Sequence, residues 1–289
     1  MRKLNFDNLH TASKGRMRDI NEVIVLNLIR DQQPISRVDI TRITGLQMST
    51  VTVITRRLMS KGLIYEQGVA PSKGGRKPRL LGLNAEKVCV FGVDIGVTET
   101  TLALSDFNGT ILHREEFPTD RRPQPFLDRL LDSIERLLNS WRDKVEFEGV
   151  GISATGIIDA ARGRIIFSPN LGWQDVEIRE IFSQRLGLPV HVENDARASA
   201  LAEVWTGRGR HTGSENLVFV TVNEGVGSGI IVNGQLYRGS SDGAGEFGHL
   251  SLDQSGPLCN CGNRGCWELF ASDRATVQRF LDLRKQMSV

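Results

Sequence analysis

The chain is 289 residues long, with 39% hydrophobic and 24% charged residues and a net charge of +2, which excludes a disordered or low-complexity polymer and leaves room for two or three globular domains. The basic start MRKLNFDNLH has no apolar h-region after it and no later stretch approaches membrane-spanning length, so a secreted or membrane-embedded protein is not expected and a cytoplasmic one is. The near-neutral total conceals a split: residues 1–82 hold 15 Lys and Arg against 6 Asp and Glu, and the remainder is acidic, so nucleic acid is expected at one end only.

From Arg16 to Arg30 apolar residues recur at Ile20, Val23, Ile24 and Leu28, which predicts a helix ending before Pro34. Ser36 is placed to cap a second helix through Ile43, Gly45 makes the turn, and a third helix runs from about Ser49 to Lys61 with Val51, Ile54 and Leu58 inward. This is helix-turn-helix spacing. The polar face of the third helix carries Gln47, Met48, Ser49, Thr50, Thr52, Thr55 and Arg56, groups suited to base edges and phosphates in a major groove, and Ser36 joins them as a DNA-facing candidate. Gly62 ends the helix, and Leu63–Tyr65 and Leu80–Leu83 are expected to pair around a wing, Glu66 to Arg79, whose Gly74, Gly75, Arg76 and Lys77 suit close approach to phosphates or a minor groove. The competing reading is a small helical packing domain with a solvated charge run.

Val88 to Ser105, VCVFGVDIGVTETTLALS, reads as strand, turn and strand, with Cys89 in the core. A helix led by proline follows from about Gln124 to Trp141, then a strand from Gly149 to Ser153, a strand from Arg164 to Asn170 and a helix ending near Gly187. The strand Val190 to Glu193 delivers Asn194 and Asp195 at its C-terminal end, where ligand groups gather in α/β folds. Capping of the following helix, which runs through Trp205, is an equally good use of Asn194. Leu217 to Val232 is again strand, glycine turn and strand, with Asn223, Glu224 and Gly225 in the turn.

The stretch GEFGHLSLDQSGPLCNCGNRGCWE, residues 245–268, crowds His249, Cys259, Cys261 and Cys266 together. One nitrogen and three sulfurs are the mix that tetrahedral structural zinc prefers, and a shell filled by protein leaves no position for a reactive water, so the Zn2+ expected here is a fold staple. Reduced surface thiols or a Cys259 and Cys261 redox pair are the alternatives. A disulfide fits poorly, since one intervening residue is too short for an unstrained bridge.

The order Gly-Glu-Phe-Gly-His followed by Cys-x-Cys-Gly-x-x-Gly-Cys-x-Glu resembles the signature of the ROK family, named for repressors, open reading frames and kinases. The resemblance runs from about residue 18 to the C-terminus and implies an actin-like, ribonuclease H-like sugar-binding fold. It further implies that Asn170, Asn194, Asp195, Glu246, His249 and Glu268 hold a sugar, with Asp195 matching the general base of the family's kinases. ROK repressors carry a winged helix-turn-helix at the front, whereas ROK kinases generally begin at the segment after it.

Departures from the kinase pattern decide between the branches. The kinase turn Asp-x-Gly-Gly-Thr is matched by Asp94, Gly96 and Thr98, but Val97 crowds the phosphate approach and Glu99 repels an anion. Where a kinase places Gly-Thr-Gly, this chain has Asn223, Glu224 and Gly225, and a carboxylate facing a triphosphate costs about 1 to 4 kcal/mol. The chain stops about twenty residues past Glu268, after one helix expected from Ala271 to Lys285, so the second lobe is expected to be incomplete and its nucleotide wall missing.

The sequence thus predicts an α/β protein with a winged helix-turn-helix over residues 1–83, a first actin-like lobe over 84–207 and a partial second lobe with the zinc loop over 208–289. The function expected is a sugar-responsive transcriptional regulator, without kinase activity, that binds a double-stranded DNA operator as a homodimer or higher oligomer and answers to a sugar or sugar phosphate. The rivals are a ROK sugar kinase with an added DNA-binding domain, and a DNA-binding module whose body only dimerises.

Overall fold

The computed structural model describes residues 14–69, 77–205, 216–240 and 242–287, the side chains of 14–20 excepted. The chain divides into two compact units, the first formed by Met1–Cys89, Ser105–Thr110 and Asp143–Phe147, the second by Val90–Leu104, Ile111–Arg142 and Glu148–Val289.

The first unit has helices α1 (Lys14–Gln32), α2 (Arg37–Thr44) and α3 (Met48–Ser60), and strands β1 (Ile35–Ser36), β2 (Ile64–Val69) and β3 (Arg79–Leu83) in the antiparallel order β1-β3-β2. The turn chemistry expected from the sequence is present. Ser36 Oγ accepts from Asp39 N (3.2 Å) at the start of α2, and Gly45, at φ +70°, closes it by donating to Thr41 O. Val51, Ile54 and Leu58 of α3 are buried with Ile40 of α2 and Leu81 of β3.

Of the apolar residues singled out in α1, Leu28 packs against the core. Val25 and Ile29 enter the core, whereas Val23 and Ile24 are 57% and 45% exposed. The helix is apolar on more than one side, so its periodicity alone does not select a face. Glu22 selects it: nearly buried, it pairs with Arg57 of α3 (3.0 Å) and with Lys61 just past its end (2.6 Å), and this sets 22, 25 and 29 inward at helical spacing.

The second unit is built on a five-stranded sheet of β4 (Val88–Ile95), β5 (Glu99–Asp106), β6 (Ile111–Pro118), β7 (Glu146–Ala154) and, after the elements described next, β11 (Val190–Asn194), in the order β11-β7-β4-β5-β6. Helix α4 (Pro123–Trp141) buries Phe126, Leu127, Leu130, Leu131, Ile134 and Leu137, and Cys89, the last residue of the first unit's opening segment, is buried as expected. A small antiparallel sheet of β8 (Ile157–Asp159), β9 (Arg164–Ser168) and β10 (Trp173–Val176) follows, then α5 (Ile178–Leu186), ended by Gly187 at φ +67°. Strand β11 pairs parallel to β7 and runs directly into α6 (Asp195–Trp205).

A third sheet, β12 (Leu217–Val222), β13 (Val226–Val232) and β14 (Gln235–Leu236), packs on α6. A Cβ on Gly229 would lie 2.5 Å from Ala200 Cβ, and one on Gly227 2.8 Å from Ala196 Cβ, so helix and strand approach as closely as backbone allows. Helix α6 and strand β13 belong to the same compact unit. The helix expected from Ala271 to Lys285 is two helices, Glu268–Ala271 and Asp273–Met287, broken at Ser272, whose hydroxyl accepts from Ala275 N (3.2 Å). Among the described residues no helix is long and apolar enough to cross a membrane.

Candidate functional site

Turns and strand ends of the second unit converge on one cavity of about 320 Å3. Asp94, at the end of β4, accepts from Ser153 Oγ of β7 (2.7 Å). Asn194, at the end of β11, accepts from Arg197 N through Oδ1 (3.1 Å) and donates to Gly156 O through Nδ2 (3.1 Å), so the capping use considered for it is realised while it still lines the cavity. Asp195 opens α6, and burial pushes its carboxyl up to about 6, with the Asp94 and Glu246 carboxylates adding to the rise and the Ala196 N–H opposing it. Burial also raises Glu246, against the pull of His249 and Arg197.

The cavity is lined by all six residues implied as sugar ligands, Asn170, Asn194, Asp195, Glu246, His249 and Glu268, gathered from a span of nearly 100 residues. Further carboxylates come from Asp94, Glu99 and Glu224. Ionised carboxylates accept hydrogen bonds and do not donate them, so a cavity of this composition suits a ligand rich in hydroxyl donors and disfavours a polyanion. The two glycine turns meet here. Thr98 Oγ1 donates to Glu224 Oε1 (3.0 Å), which ties the β4–β5 turn to the β12–β13 turn.

The cysteine stretch closes one side. His249 ends a short helical turn, Phe247–His249, and its Nδ1 lies 3.7 Å from Cys259 Sγ, while Cys261 Sγ lies 3.7 Å from Cys266 Sγ. The four donor atoms all lie within 4.8 Å of one another. A tetrahedral ion with metal–sulfur bonds of about 2.3 Å sets its sulfurs about 3.8 Å apart, close to the two 3.7 Å separations, so this quartet could hold one metal ion with its donors drawn together by at most about 1 Å. Gly265, at φ +60°, takes a conformation that side-chain-bearing residues rarely adopt and packs against the Asp253 carbonyl, where a Cβ would clash. Glu268 connects metal quartet and cavity: its Oε1 is 3.0 Å from Cys259 Sγ and 3.6 Å from His249 Nδ1, and its carboxylate lines the cavity. Asn260, between two of the cysteines, donates to Asn170 Oδ1 (3.3 Å).

The model of the ROK family matches residues 90–289 of this chain. The chain belongs to the ROK family. This ROK protein is similar to the xylose repressor of Bacillus spizizenii, with 34% identity over 279 residues that make up 96% of this chain and 72% of that protein. Among solved structures it is similar to a ROK family transcriptional regulator, a homolog of the E. coli MLC protein, with a TM-score of 0.79 and 29% identity over 94% of this chain and 69% of the other. It is also similar to a ROK family glucokinase from Streptomyces griseus in complex with glucose and AMPPNP, with a TM-score of 0.59 and 36% identity over 70% of this chain and 64% of the other. The mixed α/β second unit is thus the actin-like ROK fold. The regulator's 94% share necessarily takes in most of the first unit, whereas the glucokinase's 70% is about the share of residues 90–289.

In the first unit of this ROK chain, Gln47, Met48, Ser49, Arg56 and Lys77 are exposed, and Thr50 and Thr52 are half-exposed on α3. Arg76, with Gly74 and Gly75, lies outside the described residues. Two expected members of the DNA-facing set are corrected. Ser36 is buried, and its hydroxyl is engaged by Asp39 as donor (2.6 Å) and acceptor, so it serves as a cap. Thr55 is also buried, because its hydroxyl turns inward to accept from Arg37 Nε (2.9 Å).

Sequence reasoning missed Arg197, which is 1% exposed. Its guanidinium donates to the carbonyls of Asp242 and Ala244 (3.2 Å to the latter) and lies 3.6 Å from Glu193 and 4.0 Å from Glu246, holding the segment that delivers Glu246. An arginine in the Ala-rich run of α6 carries no signal of burial, since its partners come from a loop over 40 residues away.

Proposed function

We propose that this ROK protein is a sugar-responsive, DNA-binding transcriptional regulator, acting as a repressor in the cytoplasm. The observation that carries the reading is the likeness to a ROK transcriptional regulator over 94% of the chain, first unit included. In this reading the first unit is a winged helix-turn-helix. Its α3 enters the major groove with Gln47, Met48, Ser49, Thr50, Thr52 and Arg56, and Arg76 and Lys77 of the wing meet phosphates. A homodimer sets two such units on a two-fold related operator.

The effector is a sugar or sugar phosphate whose hydroxyls are met by Asn170, Asn194, Asp195, Glu246, His249 and Glu268. Zinc is the ion that suits one imidazole and three thiolates, and with four protein ligands it supplies structure, not a reactive water. Holding His249 and the loop bearing Glu268, it keeps two sugar ligands in place. A ligand changes DNA affinity only through its different affinities for two arrangements of the protein, so the effector is expected to act by favouring the one with the weaker operator contact.

A kinase reading is favoured by one observation, the carboxyl of Asp195 raised to about 6 as befits a general base. Against it, the Thr98 hydroxyl that a phosphate would need is already bonded to Glu224, itself a carboxylate in the phosphate's place. The deciding experiment is selection of bound duplexes from a random library, followed by titration of the best duplex over a salt series with and without a panel of sugars, and an ADP-release assay on the same panel. One sugar is expected to shift affinity by about 5- to 150-fold. Arg76→Ala and Lys77→Ala should each lower the salt slope by about one. No enriched duplex, or ADP release that Asp195→Asn abolishes, would overturn the reading.

A further inference from the structure

We infer that Val53 reads a thymine, through van der Waals contact with its C5-methyl group, and so sets sequence preference in each half-site. This rests on the DNA-binding reading proposed above. The burial of α3 locates its outer face. Val51, Ile54, Thr55 and Leu58 form the inner side, and at about 100° per residue the direction opposite their mean falls among Ser49, Val53, Arg56 and Ser60. Val53 is 59% exposed on that outer stripe, about 30° from its centre line, about 40° around the helix from Ser49 and about 60° from Arg56. Amphipathic patterning would put a polar residue there, as it does at Ser49, Arg56 and Ser60.

A β-branched aliphatic group in that position has almost no freedom at χ1 and no hydrogen-bonding atom, so it offers DNA one thing only, a rigid apolar surface. The matching apolar group in the major groove is the thymine methyl, the feature that distinguishes T from C at a pyrimidine position. Val53 also sits early in the helix, in the part that contacts base edges when a recognition helix docks by its N-terminal turns. Charge supports the same occupant. Arg56 flanks Val53 on the stripe, Lys77 is exposed on the adjoining wing, and residues 1–82 carry the chain's surplus of cations.

The test uses the full chain and a duplex selected from a random library by that chain. Each thymine is replaced in turn by deoxyuridine, which deletes one methyl and leaves every hydrogen-bonding atom in place. In one position per half-site the replacement should weaken wild-type binding about fourfold, the loss of about 0.8 kcal/mol for one buried methyl at tenfold per 1.4 kcal/mol. The same replacement should have no effect on Val53→Ser, and a second selection with Val53→Ser should lose the preference for T at that position. The substitution is at an exposed site, and the deoxyuridine series on the wild type does not depend on any variant folding. If every deoxyuridine duplex binds the wild type as tightly as its parent, or if the penalty persists undiminished in Val53→Ser, the inference is wrong. A Val53→Ser protein with changed oligomeric state and unchanged site selection would instead make Val53 a protein contact. Failure to enrich any duplex would sink the DNA-binding reading itself, a distinct outcome.

Discussion

Glu66 in the first unit receives hydrogen bonds from Arg79 and from Arg37 (3.0 Å), and these, Arg79 foremost, hold its carboxyl below the usual range. Asp195 and Glu246 in the second unit are raised instead, by burial first. Glu22 is likewise ion-paired, with Arg57 and Lys61 for partners. Among the described residues, the first unit thus uses Glu22 and Glu66 to fasten helices and strands to one another. The second unit holds carboxylates partly desolvated in a cavity, where a ligand's hydroxyls can satisfy them. A carboxylate well paired near the surface fastens structure, whereas one desolvated in a cavity is held at a cost in stability.

Removing the metal should break this comparison most completely. Cys259→Ser or Cys266→Ser is expected to yield protein without stoichiometric zinc, in which the loop bearing Glu246, His249 and Glu268 no longer holds together and the sugar response is lost. The first unit, with a core of its own, should still bind the operator. Metal analysis and DNA titration of the same preparation test this, and a zinc-free variant with an intact sugar response would show that the quartet is not coupled to regulation.

Asp195→Asn should sharpen the comparison. The folded-state value of about 6 lies above the ordinary 3.8, so between those values the folded chain holds a proton that the unfolded chain has released. The ionised group therefore costs stability above pH 6, and the cost disappears as pH falls through 6 toward 4. At pH 7.5 the variant should be more stable than the wild type by about 1 to 2 kcal/mol, less than the full shift implies because the group is only partly buried. The gain should vanish near pH 4, while sugar affinity falls at every pH. Equal denaturant midpoints for the two proteins at pH 7.5 would count against a desolvated, unpaired Asp195.

The smallest effect is expected at Glu66. Its lowered pKa means that pairing with Arg79 and Arg37 stabilises the fold above the ordinary carboxylate value and is lost as pH falls through the lowered one. Glu66→Gln should cost about 1 kcal/mol at pH 7, with partners near the surface, and the difference from wild type should shrink in acid. Denaturation of both proteins at pH 7 and in acid measures it, and a gap independent of pH would mean that packing, not charge, is what the side chain supplies.

Much of this was legible in the sequence where the signal is local. Ser36, Gly45 and Gly187 end or begin helices where their side chains or backbone freedom demand it. The metal quartet was legible because three of its ligands lie within eight residues, with glycines to fold them together. The cavity's ligands were legible only through family likeness, since nothing in the spacing of Asn170, Asp195 and Glu246 says that they meet.

What the amino-acid sequence determined by itself was the main helices, the caps, the charge asymmetry and the gathering of His249 with three cysteines, all set by interactions among near neighbours in the chain, whereas the strands Ile111–Pro118, Ile157–Asp159 and Trp173–Val176 were not read from it. Tertiary structure alone decided which way each ambiguous surface turned. The face of α1 was chosen by an ion pair from Glu22 to α3, and Thr55 was drawn inward by Arg37. Thr98 and Glu224, 126 residues apart, meet only because two glycine turns face one cavity. Such contacts depend on how packed elements are oriented, and a periodicity that is nearly the same on two faces of a helix holds no record of that choice.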